Sequence, residues 1–338
     1  MRSRAYAPPR SIQPFHTPPT PAPSSLPDGL VHTAKDLPTQ YDIVELSDAA
    51  VITKRVAAVA VSANEVVHTD AMRCLFGFCA FTTTLHGAAG APSTSYAYRI
   101  NTTTAAVIAK TPLLGDCAHM HVDYNSGNLY TLCLENAASG PFADVVEVSG
   151  AAPVVVAKIA AAIAGGAVLP GQTTHCSAYK SMYIAVSHGG AGMDTVVTVD
   201  LVAARVKSVV KLADAAPRAL WATCTGDGEI GGVAWAPGAG AGASGTASFG
   251  EFSAATGAYK PLASVAVPAT LEPTGLLTET ETEQAIAVFM PRGTRTNATI
   301  VDGALWSFAP FAGTADSKVA DYTYNLIAAS LDRDATRR

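Results

Sequence analysis

Residues 117–135 read CAHMHVDYNSGNLYTLCLE. Polar and apolar residues alternate up to Val122 and again from Leu129 to Cys133. Alternation at period two is the pattern of a half-buried strand. Between the two runs, Asp123-Tyr-Asn-Ser-Gly127 supplies the side-chain caps and the positive φ that a tight reversal needs. The stretch is a β-hairpin, and weaker copies of it recur along the chain.

The returning strand of the hairpin, Leu129–Cys133, has counterparts at Phe76–Phe81, Met182–Val186, Gly231–Trp235 and Ala285–Phe289. A third strand follows as Tyr96–Ile100, Asp144–Val148, Thr195–Val199 and Ser248–Phe252. A fourth carries a short tag ending in lysine: Val107–Lys110, Val155–Lys158, Val209–Lys211 and Tyr259–Lys260. Those lysines are 48, 53 and 49 residues apart, and Lys54 precedes Lys110 by 56. Four short strands repeating about every 50 residues mark a β-propeller, whose sheets bury their faces only against neighbouring sheets. The expected fold is all-β, with six four-stranded blades and five or seven as alternatives. A pair of β-sandwiches fits less well, since one strand order persists through four consecutive units. Residues 41–56 look like the last two strands of an incomplete blade, and Val319–Ala329 could complete it. The propeller is thus assigned to residues 41–330, closed by strands from both termini, with 331–338 a tail.

The motifs Asp123–Tyr130, Val199-Asp-Leu201 and Ser253-Ala-Ala-Thr-Gly257 carry a resemblance to the β-propeller superfamily in its NHL/YVTN-like form. The resemblance covers nearly everything after residue 40. It implies a platform around a central channel and no particular chemistry.

Charged residues make up 14 % of the 338, against roughly 25 % in ordinary soluble proteins. So weakly charged a surface suits a subunit packed into an assembly, or a protein working outside the cell. A net charge of −5 gives no reason to expect nucleic acid. Residues 1–40 are different material: nine prolines, with Arg2, Arg4 and Arg10 and no acid before Asp28. They read as an extended Pro-rich arm, either a docking segment or a targeting peptide. No apolar leader precedes Pro27, so an intracellular or organellar site, mitochondrial included, is expected over a secreted one. Ala151–Pro170 is apolar enough to be mistaken for a membrane span, but Lys158 and Gly165-Gly166 interrupt it. It reads as a strand and a small-residue loop, and no transmembrane segment is expected.

Three inner strands carry histidine at nearly one phase: His68, His119 and His175, with spacings of 51 and 56. Converging on a channel, they could hold zinc or another divalent ion, with His121 as an alternate ligand. The plainer reading is hydrogen-bonded channel walls with Asp123 capping its turn. Folding 117–135 about Asn125 sets Cys117 opposite Cys133, within reach of a disulfide. Small buried thiols are the alternative, and the favoured one in a reduced compartment. The sequons Asn101-Thr-Thr103 and Asn297-Ala-Thr299 read as chance in a Thr-rich chain. No Gly-x-Ser-x-Gly, His-Glu-x-x-His or Cys-x-x-Cys occurs, so no catalytic or cofactor-binding residue is assigned. The leading expectation is a non-enzymatic scaffold with protein partners and no cofactor. A metal-dependent lyase or hydrolase and an extracellular ligand-binding propeller are the alternatives.

Overall fold

A computed structural model describes residues 28–32, 40–46, 52–67, 72–75, 77–87, 93–133 except 114, 116 and 124, and 144–189 except 170, 171 and 178. It also describes 193–216, 219–224, 229–236, 238, 243–279, 284–291, 303–309, 314–322 and 326–330. Strands β1 (Asp28–His32), β2 (Gln40–Leu46) and β3 (Ile52–Ala60) form the first sheet. The second holds β4 (Glu65–Val67), β5 (Arg73–Leu75), β6 (Phe78–Leu85), β7 (Thr94–Asn101) and β8 (Ala106–Pro112), with β4 and β5 both paired to β6. The third holds β9 (Cys117–Val122), β10 (Leu129–Cys133), β11 (Asp144–Glu147) and β12 (Val154–Lys158). A short helix, α1 (Ala160–Ile163), leads to the fourth: β13 (Ala167–Val168), β14 (Thr174–Cys176), β15 (Ser181–Ser187), β16 (Met193–Asp200) and β17 (Arg205–Ala216). The fifth is β18 (Ala219–Cys224), β19 (Glu229–Ala236), β20 (Gly245–Ser253) and β21 (Tyr259–Val267). The sixth is β22 (Leu271–Glu279), β23 (Gln284–Pro291), β24 (Gly303–Ala309) and β25 (Thr314–Tyr322). Strand β26 (Leu326–Ser330) pairs with β1 and completes the first sheet.

All strand pairings among the described residues are antiparallel, and most join consecutive strands. The innermost strands touch in a cycle: β5 meets β9, β9 meets β14, β14 meets β18, β18 meets β22, β22 meets β26 and β26 meets β5. The molecule is a β-propeller. Both termini do join one sheet, but on different strands from those expected. Val319–Tyr322 belongs to the outermost strand of the sixth sheet, and the closing strand starts at Leu326. The N-terminal side contributes three strands, because Asp28–His32 lies between β26 and β2. The boundary of the arm at residue 40 therefore moves back past β1. Residues 1–27 and the tail 331–338 lie outside the described residues.

Alternation along the inner strands β6 and β15 divides their side chains between two cores. In β6, Phe78 and Ala80 pack with Cys117, Met120 and Val122 of the third sheet, whereas Cys79 and Phe81 pack with Tyr41, Ile43 and Val59 of the first. Strand β15 does the same: Met182, Ile184 and Val186 face the third sheet, and Tyr183 and Ala185 face Ile230 and Phe252 of the fifth. Strands β10 and β15 are buried along their whole length, as befits sheets covered on both faces. Rings fill the wider gaps. Phe81 stacks on Tyr98 at 5.0 Å, and Trp235 meets Phe289 edge-on at 6.4 Å. Gly245 lies so close beneath Trp235 that an added Cβ would collide with its six-membered ring.

The organising hairpin closes as its residues require. Asp123 Oδ1 accepts from Asn125 N at 2.9 Å, its Oδ2 accepts from Ser126 Oγ at 2.7 Å, and Gly127 takes φ 74°. The lysine tags acquire a reason. Each pairs on the outermost strand with a residue of the strand inside it: Lys54 with Glu45, Lys110 with Tyr98, Lys158 with Asp144, Lys211 with Thr195 and Lys260 with Glu251. Lys260 Nζ reaches Glu251 Oε2 at 3.3 Å. Cys117 and Cys133 are disulfide-bonded, as are Cys74 and Cys79, and Cys176 is bonded too. The favoured reading of these cysteines as buried thiols is thereby corrected. Cross-strand register brought the sulfurs together, as the fold about Asn125 implies. The apolar run 151–170 becomes β12, α1 and β13, and no described helix is long and apolar enough to cross a membrane.

Candidate functional site: the inner-strand histidines

Strand β9 opens with a distortion. Thr131 faces Met120 and Leu132 faces Ala118, so His119 is an extra residue opposite nothing. It sits at φ 62°, in the left-handed region that a side chain with a Cβ seldom adopts. Such bulges re-aim a side chain, and they cluster near functional sites. Beyond the bulge, His121 lies opposite Tyr130 of β10 and is 3 % exposed. His175 of β14 reaches across from the fourth sheet, stacking on the Tyr130 ring at 5.7 Å and 11°. It is 9 % exposed. Tyr130 is thus the register partner of one histidine and the stacking partner of the other, at the seam between two sheets.

A short hydrogen-bonded chain orients His175. The Ser177 hydroxyl donates to the Asp123 carboxylate, and Ser177 Oγ lies 3.3 Å from His175 Nδ1. With the hydroxyl proton directed at Asp123, Nδ1–H donates to Ser177 Oγ and Nε2 is left as a bare lone pair. Among the described residues that Nε2 is buried without a partner, and so is Nε2 of His121. Asn125 Nδ2 donates to the Ser177 carbonyl at 3.1 Å, tying the hairpin tip of the third sheet to the fourth.

Burial pushes His121 well below the ordinary imidazole range, and the charges of Arg73, His119 and His175 act in the same direction. Burial brings His175 down to about 4, against the opposing pull of Asp123. Burial would raise the Asp123 carboxyl, but donors from Ser126, Asn125 and Ser177, together with His175, hold it below its usual value. At neutral pH His121 and His175 are therefore neutral and Asp123 is ionised.

Of the residues expected as metal ligands, the structure gathers His119, His121 and His175 at this seam, while His68 lies outside the described residues. Among the described residues no three His, Cys, Asp or Glu side chains are already placed to hold an ion. What the sequence did not reveal is the fixed tautomer of His175, since Ser177 and Asp123 are 54 residues apart and meet only across the seam.

Two further polar clusters were missed. Glu65 on β4 accepts from Thr83 Oγ1 at 2.5 Å, Tyr98 OH at 2.9 Å, Lys110 Nζ at 2.9 Å and Ser62 N at 3.1 Å. These residues form a row across four strands of the second sheet, and Lys110 also lies over the Tyr96 and Tyr98 rings. A carboxylate with four donors is a structural pin. His188 pairs through Nδ1 with Asp194 Oδ1 at 2.7 Å and through Nε2 with the Ile163 carbonyl at 2.9 Å. Both its nitrogens are engaged, so it fastens the end of α1 to the fourth sheet and has no lone pair for a base's role.

Neither a family model nor a curated protein sequence matches the chain. Among solved structures, TolB from Acinetobacter baumannii is similar over 93 % of this chain and 68 % of its own, at 12 % identity and a TM-score of 0.56. A putative TolB from Agrobacterium tumefaciens is similar over 81 % of this chain and 86 % of its own, at 10 % identity and a TM-score of 0.49. The periplasmic gluconolactonase PpgL of Pseudomonas aeruginosa aligns over 90 % and 98 %, at 10 % identity and 0.46. At 12 % identity the likeness to the Acinetobacter protein speaks for the propeller fold alone and leaves the chemistry to the residues.

Proposed function

We propose that this β-propeller is a non-enzymatic interaction subunit that works in an oxidising compartment and binds an acidic partner through its rim. The observation that carries the reading is strand β17, the edge strand of the fourth sheet. Its exposed residues are Arg205, Lys207, Val209 and Lys211, a basic and aliphatic row on a chain of net charge −5. Val209 is 51 % exposed, and β17 touches β12, where Val154 is 59 % exposed. The turn at Gly257 closes on the Lys211 carbonyl, but among the described residues no strand pairs with this edge over Arg205–Val209, and such an edge accepts an added strand, with backbone pairing for affinity and side chains for selection. Residues 1–27 would serve as a tether to the same assembly. The cysteines support this compartment: none among the described residues is free, and stable disulfides belong to oxidising surroundings.

The test is carbodiimide coupling, which joins amines to carboxylates in contact, applied to the full chain in its native assembly. Cross-links from Lys207 and Lys211 to acidic partner peptides are expected, and they should vanish in a V209D/K211E variant that melts like the parent. Cross-links confined to other faces would overturn the proposal.

A second reading, a divalent-metal site serving lyase or hydrolase chemistry, draws support from the two unpartnered imidazole nitrogens of His121 and His175. Zinc added to chelator-treated protein should then raise the melting temperature of the parent and not of H121A/H175A. No rise in the parent would dispose of it.

A further inference from the structure

The sequon Asn101-Thr102-Thr103 lies in the turn joining β7 to β8. Asn101 Oδ1 accepts from the N–H groups of Thr103 and Thr104, each at 2.8 Å, and Ala105 closes the turn at φ 56°. The fourth sheet builds the same turn at the same place. Asp200 ends β16, its Oδ1 accepts from Val202 N at 2.9 Å and Ala203 N at 2.8 Å, and Ala204 closes at φ 52°. The cap therefore needs one side-chain oxygen, and a carboxylate provides it as well as an amide.

Capping accounts for the oxygen of Asn101 and leaves its nitrogen unexplained. Among the described residues Nδ2 has no hydrogen-bond partner. Asn101 is half-buried, and Thr103 is exposed. The fourth-sheet turn has Val202 where this one has Thr103, so the turn does not demand the threonine either. What the pair does satisfy is the acceptor pattern for N-linked sugar, displayed on an exposed turn. The disulfides supply the second, independent observation. They place the chain in the kind of compartment where such sequons are met by the transferase.

We propose that Asn101 carries an N-linked glycan. This rests on the oxidising compartment argued above. In the transfer, Asn101 Nδ2 attacks the anomeric carbon of a lipid-diphosphate-linked oligosaccharide. The N–C bond forms as the C–O bond to the diphosphate breaks; the lipid diphosphate leaves with the electron pair, and one amide proton passes to a transferase carboxylate. Nothing is oxidised or reduced. The amide carbonyl survives, so Oδ1 keeps its two backbone donors and the turn is undisturbed.

The experiment uses the full chain purified from the cells that make it, mapped by peptide mass with and without peptide N-glycosidase. The peptide bearing Asn101 should carry a mass increment that the enzyme removes, leaving aspartate. T103A should abolish the increment and T103S retain it, with melting temperatures unchanged, because the cap uses only the backbone of Thr103. Alkylation of the same sample without reductant separates the two ways to fail. Cysteines that alkylate overturn the compartment and the glycan with it. Cysteines that stay blocked beside an unmodified Asn101 overturn the glycan alone.

Discussion

Replacing Glu65 with alanine removes the acceptor of the polar row in the second sheet. The Thr83 and Tyr98 hydroxyls are buried, and each would lose its acceptor. A buried donor left unpaired costs roughly 1–3 kcal/mol. Lys110 is a third exposed and turns to solvent, so its separation from Glu65 adds little. Two stranded hydroxyls and the emptied volume come to about 4 kcal/mol. At roughly 2 °C per kcal/mol for a domain of this size, E65A should melt about 8 °C below the parent. The assay is thermal unfolding at neutral pH with disulfides intact, alongside urea unfolding. K110M is the comparison and should lose about 1 kcal/mol or less. The sign with pH is also set. Thr83, Lys110, Ser62 and Tyr98 hold the Glu65 carboxyl below its usual value despite burial. Its contribution is therefore present above the unfolded value near 4.5 and is lost as pH falls through the folded one. E65A melting with the parent, or E65A and K110M losing the same amount, would refute the account of Glu65 as the pin of its sheet.

The histidine seam should weaken on acidification. Above pH of about 6.5 both states hold neutral imidazoles; below it the unfolded chain takes protons that folded His175 refuses until about 4, so up to roughly 3 kcal/mol is lost across that window. Melting temperatures of H121Q/H175Q that fall with pH as steeply as the parent's would contradict this. Deleting residues 1–26 should leave the melting temperature unchanged, whereas deleting 1–32 removes β1 from between β26 and β2 and should destabilise the whole domain cooperatively. Equal melting of the two truncations would count against closure through both termini. Finally, G166A should loosen α1, because an added Cβ would press on Val186 and on His188 Nε2. A loss of about 1–3 kcal/mol is expected by urea unfolding, and none would show that the close approach is not required.

The local rules of this chain were written in its sequence. Period-two alternation, Asp123 to Gly127, and a repeat near 50 residues depend on neighbours a few residues apart, so strands, turns and the propeller fold could be read directly. The lysine tags were visible too, but not their acidic or hydroxyl partners on the adjoining strand, because register is set by turn length. The termini show the same division. Two strands of the first sheet were legible, whereas Asp28–His32 was hidden among prolines, and its role exists only because β26 needs a partner. The seam was the least legible of all. Histidines at one phase suggested convergence, yet it took packing between separate sheets to place Ser177 beside Asp123, strip the proton from His175 Nε2 and bury His121 unpaired. The Cys117–Cys133 bridge was legible by contrast, because both cysteines sit in one hairpin and its fold about Asn125 sets them opposite each other. Contacts between sheets depend on how faces meet in three dimensions, and nothing in the linear spacing encodes that distance.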